Sequence, residues 1–367
     1  MSVDVSFSRY QTFKVPQALT MQSLNGEGLL LVGNPDPVHV GAHLLKAAAV
    51  LGLRVRLCDV RLAFQAHPLV AKFNWWLRGH RPSQMRAFGR SVVETCRSFR
   101  PTWLVSIGIA PLEQAALAEI GRFGIIRMNF LTDDPWNPAH RSAWFLKALS
   151  QYDRVFTPRR ANVADLCKAG CAHVDYLPFA YDPGAHFPEQ PVDEAERAAL
   201  ASDVAFVGGA DADRMPYLRA LASIGLRLAL YGGYWERYRA LRPFARGLAG
   251  PEVLRKATAA AKVVLCLVRR ANRDGHVMWS YEAAALKSCM LVEDTVEHRE
   301  LFGPADEAVA YFRHPAEMLE QARQLIADES RRRRLAEAAY RRIVAGGNTY
   351  CDRLAAMLQR AKETGPL

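Results

Sequence analysis

The sequence lacks long apolar runs. None of its 367 residues lies in an uninterrupted apolar stretch of about 18, the length that a membrane-spanning helix needs. The first segment, Met1 to Lys14, is polar and has no apolar signal-peptide core. These absences argue against an integral membrane protein, and we predict a cytoplasmic location.

Closely spaced cysteines are also scarce. The 7 cysteines are odd in number and scattered, and only Cys167 and Cys171 are near neighbours. A single C-x3-C pair without a second pair or clustered histidines is a weak zinc signal. The pattern excludes a disulfide scaffold and predicts reduced thiols, no bound metal and no cofactor.

A dinucleotide-binding fingerprint is missing as well. The first predicted strand ends in Gly33-Asn34-Pro35-Asp36-Pro37, where a G-x-G-x-x-G turn would otherwise stand. Two prolines and an asparagine cannot give a pyrophosphate the close backbone approach that glycines allow. The turn therefore disfavours a dehydrogenase, and a plain strand-to-helix connection is the simpler interpretation.

The composition is that of a globular, basic protein. Lys and Arg number 48 against 37 Asp and Glu, a formal net charge of +11, and 50% of the residues are hydrophobic. At roughly 150 residues per domain, the length predicts about two domains. Positive charge attracts anionic membranes, nucleic acids and phosphorylated substrates alike.

The run from Arg331 to Arg334 predicts a solvated helix face, with a peripheral membrane contact as the alternative.

Short β-branched runs alternate with helix-length segments from residue 27 onward, which predicts an α/β fold with parallel sheets. Prolines interrupt the pattern between Phe179 and Ala195, where we place a linker. The result is a first Rossmann-like domain over residues 1–185 and a second over residues 200–347. The predicted strands are Leu29–Val32, Arg54–Cys58, Trp103–Ile107, Ile125–Phe130, Arg154–Phe156 and Val174–Leu177, then Val204–Val207, Leu226–Tyr231, Val263–Leu267, Met290–Val292 and Ala308–Tyr311.

Two glycine turns of the second domain have the residues of a ligand site. The first contains Gly208 and Gly209, with Arg214 five residues on. Glycine lets backbone N–H groups approach a phosphate and an arginine can clamp its oxygens, although a turn alone also requires glycine. The second follows Tyr231, whose ring beside glycines fits either a base or a domain interface.

The densest polar constellation runs from Arg269 to Ala285. A basic, glycine-containing loop leads into an alanine-rich helix, so backbone N–H groups and the positive end of the helix dipole converge there. This favours a diphosphate, and a carboxylate on the helix fits vicinal sugar hydroxyls. The alternative is a capped helix with a surface glutamate. The candidate residues are Arg273, Asp274, Gly275, His276 and Glu282.

Paired acids follow the apolar strand Ile125–Phe130 of the first domain. Asp133 and Asp134 stand at the carboxyl edge of a sheet, where ligands of α/β proteins bind, and His140 follows closely. These three are our candidates for a general base acting on an acceptor hydroxyl. A metal site and a simple helix cap are the alternatives.

The segment from Asp274 through Glu282, followed by Cys289 to His298 and Glu300 to Phe302, resembles the CgeB-like (spore maturation type) glycosyltransferases. The resemblance covers most of residues 200–355. It implies a GT-B fold, with a nucleotide-sugar in the second domain, an acceptor in the first, and the C-terminal helix 348–367 packed back onto the first. The other matching residues are Glu307, Tyr311, Asp203–Gly209, Arg214, Tyr231–Trp235, Asn348–Tyr350 and Arg353, and more loosely Thr132–Trp136.

The resemblance also implies residue roles. The related retaining enzymes carry an E-x7-E pair whose second glutamate binds the ribose. Glu282 matches that second position, whereas Asp274, a shorter carboxylate, stands at the first. This departure leaves both an inverting and a retaining reaction open.

We therefore predict a metal-independent glycosyltransferase that moves a hexose-type sugar from a nucleotide-sugar donor to an unidentified acceptor, which is a protein, a glycan or a lipid-linked molecule. A nucleotide-sugar epimerase of the same fold is the alternative enzyme. A non-catalytic module that binds an anionic polymer is the alternative from another class. Because the aromatic platform of a single-strand binder is not evident, we predict no nucleic-acid partner. The oligomeric state stays open.

Overall fold

The structure, a computed structural model, describes residues 26–364. The expectation for Met1 to Lys14 therefore lies outside the described residues. Two six-stranded parallel sheets are flanked by helices, which confirms the predicted α/β class with two Rossmann-like domains.

The first sheet has the strand order β2-β1-β3-β4-β5-β6. Its strands are β1 Gly28–Gly33, β2 Arg54–Asp59, β3 Trp103–Ile107, β4 Ile126–Phe130, β5 Arg154–Thr157 and β6 Val174–Tyr176. Its helices are α1 Val40–Val50, α2 Pro68–Leu77, α3 Met85–Phe99, α4 Gln114–Gly121, α5 Ala143–Ala148 and α6 Arg160–Lys168, and α7 Glu194–Leu200 follows the connection to the second sheet.

The second sheet has the order β12-β11-β10-β7-β8-β9. Its strands are β7 Ser202–Val207, β8 Leu228–Tyr231, β9 Ala245–Gly247, β10 Ala261–Cys266, β11 Met290–Glu293 and β12 Ala310–Phe312. Its helices, with the C-terminal one, are α8 Met215–Ser223, α9 Pro251–Ala260, α10 Met278–Ala285, α11 Val296–Phe302, α12 Pro315–Ala327, α13 Glu329–Val344 and α14 Tyr350–Thr364. The sequence did not predict β9, a three-residue edge strand.

Burial on both faces explains why β1 is apolar throughout. In β1, Leu29 and Leu31 belong to one buried cluster, whereas Leu30 and Val32 belong to another. Alternate side chains thus enter cores on opposite faces of the sheet, as expected when helices cover both faces of a parallel sheet.

The chain returns to the first domain at its C-terminal end. Thr349 forms a β-bridge with Tyr181, and the guanidinium of Arg353 donates hydrogen bonds to the carbonyl oxygens of Pro178 and Phe179. Helix α14 then packs against α1. These contacts agree with the expected return of the last helix, but the domain boundaries themselves remain a prediction.

Within residues 26–364, none of the helices combines the length and the apolar character needed to cross a bilayer. The run of four arginines lies on α13, where it is already engaged. Arg331 and Arg334 donate to Asp306, and Arg333 pairs with Glu329.

Candidate functional site

A cleft of about 510 Å³ lies between the carboxyl edges of the two sheets. On the side of the second domain it is lined by the segments that follow β7 and β10. These two strands are neighbours in the sheet, and the strand order reverses direction between them. Such a switch point is where doubly wound sheets bind ligands.

The glycine turn after β7 holds a cation at the cleft. The guanidinium of Arg214 donates to the carbonyl oxygen of Gly209 over 2.7 Å and lies 5.2 Å from the ring centroid of Phe206. A Cβ on Gly208, whose φ is +150°, would lie 3.1 Å from that guanidinium. Burial, reinforced by the nearby positive charge of Arg269, lowers the pKa of Arg214 to about 10, so the side chain remains charged at neutral pH. Its Nε atom is buried without a hydrogen-bond partner.

The N-terminus of α10 also faces the cleft, since Val277, Met278 and Trp279 line it. The amide of Val277 donates to Ser280 Oγ over 3.1 Å, which fixes the first turn. Arg269, near the start of the loop that connects β10 to α10, lines the cleft as well. The segment therefore presents a helix N-terminus and a cation to one cavity, the arrangement that favours an anion.

Glu282 lines the same cavity from within α10 and is buried. Burial, followed by the negative charge of Asp182, raises the pKa of Glu282 to about 8. A histidine lies beside it: His186 Nε2 is 3.5 Å from Glu282 Oε1. Burial lowers the pKa of His186 to about 3, so this imidazole is neutral and does not neutralise the carboxylate.

One group of possible metal ligands occurs among the described residues: donor atoms of His43, His186 and Glu282 lie within 4.8 Å of one another. His186 Nδ1 accepts a hydrogen bond from the amide of Asp182 over 3.0 Å, which places the proton of the neutral ring on Nε2. A protonated Nε2 cannot bind a cation. The group therefore fits a hydrogen-bonded network better than a metal centre, and metal independence remains a prediction.

The loop before α10 contacts the first domain through buried charges. Arg159 Nε, just after β5, lies 2.5 Å from Asp274 Oδ1, and both side chains are almost fully buried. Arg273 pairs with Asp134 over 2.5 Å and with Asp165 over 2.7 Å. Arg273 thus bridges the domains and does not point freely toward a diphosphate, unlike the sequence-based expectation.

Other predicted residues also have structural partners. His140 Nε2 donates to the carbonyl oxygen of Asp134 over 2.8 Å, and His276 Nε2 accepts from the amide of Phe179 over 3.3 Å. Tyr231 packs in a small buried cluster with Ala205, Ala229 and Ala257. A Cβ on Gly275 would lie only 2.0 Å from Glu297 Cδ, so the carboxyl group of Glu297 occupies the space beside this glycine.

On the side of the first domain, Asp133 lines the cleft and is partly exposed, while Asp134 is buried against Arg273. Asp133 is therefore the better placed of the two paired acids for an acceptor hydroxyl. The structure thus brings six predicted residues to the cavity, namely Asp133, Gly208, Gly209, Arg214, Asp274 and Glu282.

Sequence reasoning missed Arg159, which lines the cleft together with His39. Arg159 belongs to no motif, and its position two residues after β5 was the one available signal, since the carboxyl ends of parallel strands share an edge. The sequence also places His39 near the cleft edge, where a packing or surface role is the simpler interpretation, and the structure shows it exposed just before α1.

Two Rossmann-like domains that face each other across such a cleft define the GT-B class of folds. Sucrose-phosphate synthase from Thermosynechococcus elongatus is similar in structure, with 14% identity, a TM-score of 0.68, and coverage of 92% of this chain and 98% of that one. Anabaena HepE, solved with UDP and glucose, has 13% identity and a TM-score of 0.62 over 92% and 100% of the chains. The expected GT-B fold is confirmed.

A protein of Listeria monocytogenes provisionally assigned as a UDP-N-acetylglucosamine 2-epimerase has the same fold, with 11% identity, a TM-score of 0.57, and coverage of 92% and 96% of the chains. At the level of sequence, residues 214–359 match the model of a family described as Glycosyl transferase-like. No curated protein sequence matches the chain. The family match begins at Arg214 and includes Glu282, and with the fold it supports a glycosyltransferase.

Proposed function

We propose that the protein is a glycosyltransferase that moves a sugar from a nucleoside-diphosphate sugar to an acceptor. The observation that carries the proposal is the cleft lined jointly by Arg214, Arg269, the N-terminus of α10 and Glu282. A nucleoside diphosphate gains negative charge as it leaves, and fixed cations and amide dipoles stabilise that charge. The glycosyltransferase-like match over residues 214–359 supports the same reaction.

In this proposal, Arg214 and Arg269 bind the diphosphate and Glu282 accepts hydrogen bonds from the ribose. Asp133, from the opposite domain, is the base that removes the proton of the acceptor hydroxyl if the reaction inverts the anomeric centre. The proposal includes the CgeB-like subtype, a hexose-type sugar, a metal-independent reaction and a cytoplasmic location. HepE was solved with UDP and glucose, which makes UDP-glucose the first donor to test.

Binding is tested by thermal shift with UDP, GDP, dTDP, ADP and CMP. A ligand that binds only the folded state raises the melting temperature with its concentration. We expect one diphosphate to raise it, and Arg214→Lys to weaken that nucleotide about tenfold because a lysine cannot reproduce the planar guanidinium contact. Arg219→Ala, at an exposed position of neighbouring α8, is the matched control and should bind normally.

The reaction class is tested by mass and NMR analysis of the donor incubated without an acceptor. A transferase releases the nucleotide slowly by hydrolysis, whereas an epimerase inverts a sugar centre and leaves the donor mass unchanged. A flat thermal shift with all five nucleotides, combined with tight and salt-sensitive binding of an anionic polymer, would contradict the proposal.

A further inference from the structure

Helix α2 presents an apolar face to solvent. Its exposed residues recur at the spacing of one helical face, and each is between 49% and 72% exposed. The opposite face holds the helix on the protein, where Asn74 is buried and its amide nitrogen donates to Ser83 Oγ over 2.9 Å. We call the exposed face the α2 surface; it consists of Leu69, Val70, Phe73, Trp76 and Leu77.

The short helical turn that precedes α2 in the chain, Val60–Phe64, also exposes two large apolar residues, Leu62 and Phe64. An amphipathic helix normally turns its apolar face inward, because exposing large apolar side chains to water costs free energy. Contiguous exposed apolar patches of this kind mark interaction sites.

The sequence around the α2 surface is strongly basic. Residues 60–93 contain six Lys or Arg and no Asp or Glu. At the C-terminal end of the helix lies a separate pocket of about 600 Å³, which we call the basic pocket. Four cations line it against the single carboxylate of Glu113, and these cations are Arg78, Arg81, Arg86 and Lys147.

We propose that the α2 surface and the basic pocket together dock the protein onto an anionic lipid bilayer. Leu, Phe and Trp side chains beside Lys and Arg have the composition of helices that lie in the membrane interface. The basic pocket suits anionic headgroups, and its cations add electrostatic attraction to such a surface. This inference is independent of the proposed glycosyl transfer.

Two other occupants fit less well. A second copy of the chain would bring the six positive charges of each α2 region together, and like charges repel in a symmetric interface. The arginine run of α13, the alternative suggested by sequence, lies beside no such apolar face and is already paired with Asp306 and Glu329. Some cations of the α2 region are also paired, such as Arg81 with Glu113, but of the two regions only this one combines large exposed apolar side chains with clustered basic residues.

The test is sedimentation of the full-length chain with vesicles of phosphatidylcholine, with and without phosphatidylglycerol. We expect binding that requires the anionic lipid and weakens at high salt. Leu69→Ser combined with Trp76→Ser should reduce vesicle binding about tenfold or more, since both side chains lose their burial in the interface. Leu248→Ser combined with Val192→Ser removes equally exposed apolar residues elsewhere and should bind normally.

The charge contribution is tested in the same way. Arg78→Glu combined with Arg86→Glu should weaken binding about tenfold, whereas Arg333→Glu combined with Arg341→Glu on α13 should not. Equal binding of all variants would overturn the proposal. A dimer detected by light scattering that the α2 variant dissolves, in a protein that does not bind vesicles, would overturn it too and identify the α2 surface as a contact between copies.

Discussion

Arg159 and Asp274 form a buried ion pair that joins the two domains at the floor of the cleft. Burial raises the pKa of Asp274 above its ordinary value even though Arg159 and Arg269 lower it. Burial therefore disfavours the charged carboxylate, and the positive charge of Arg159 offsets part of that effect by stabilising it. Removing one partner leaves the other charge buried and uncompensated, which is far more costly than losing an exposed pair.

We expect Arg159→Met and Asp274→Asn each to lower the free energy of unfolding by roughly 3 kcal/mol. The double variant should lose clearly less than the sum, with a coupling of about 1–3 kcal/mol in a double-mutant cycle measured by urea unfolding. The exposed pair Arg333–Glu329 provides the control. The coupling energy from its double-mutant cycle should be below about 0.5 kcal/mol. Additive losses for Arg159 and Asp274 would show that the pair does not act as a unit.

Glu282 makes stability depend on pH. Its pKa of about 8 in the folded protein lies above the ordinary 4.5, so the folded state binds more protons between these values. The contribution of Glu282 to the free energy of unfolding is therefore largest below pH 4.5 and decreases as the pH rises toward 8. Glu282→Gln should be more stable relative to wild type at pH 8 than at pH 5 by urea unfolding.

Glu320→Gln, at an exposed position, is the control for Glu282 and should follow wild type at both pH values. Should Glu282→Gln also run parallel to wild type, the carboxylate is ionised in the folded protein and its burial has been compensated. UDP titrations at the same two pH values then report separately whether the carboxylate contributes to binding.

Most strands and helices could be predicted from the sequence because the residues that specify each of them are neighbours in the chain. Runs such as Trp103–Ile107 are apolar except for one serine, and their boundaries follow from the turns beside them. Strand β9 was missed because Ala245-Arg246-Gly247 is neither apolar nor β-branched, and its partner β8 determines its conformation. An edge strand of three residues has no distinctive residue composition by which it could be predicted.

The candidate site could be predicted only in part, because the partners of its side chains depend on contacts between residues that are distant in the sequence. The sequence located the turns of Gly208 and Asp274 at strand ends, and both line the cleft. It could not foresee that Arg273 would pair with Asp134 and Asp165, since these acids lie more than a hundred residues away. The position of a motif in the sequence indicates at which edge of the sheet a residue lies. Whether its side chain is available to bind a ligand depends on the residues with which it pairs in the folded protein.

Asp133 is predicted to act in chemistry and not in donor binding. Asp133→Asn keeps the size of the side chain but cannot accept a proton, so turnover with donor and acceptor should decrease by about a hundredfold or more. The UDP-induced thermal shift should stay as in wild type. Asp134→Asn should instead lower the melting temperature through the lost pair with Arg273. A normal turnover rate for Asp133→Asn would assign the base elsewhere, with His39 as the next candidate lining the cleft.

Gly275 lies against the carboxyl group of Glu297. The Cβ of an alanine would lie 2.0 Å from Glu297 Cδ, but this carboxyl group ends a flexible, partly exposed side chain that can move aside, so Gly275→Ala should lower the free energy of unfolding by about 1 kcal/mol or less. Removing the obstructing side chain with Glu297→Ala should restore most of that loss in the double variant. Gly233→Ala is the matched control, since no heavy atom lies within 4 Å of its added Cβ, and it should be neutral or slightly stabilising. If Glu297→Ala does not rescue Gly275→Ala, the glycine is needed for its backbone conformation or for a ligand, and UDP binding by the double variant distinguishes these two causes.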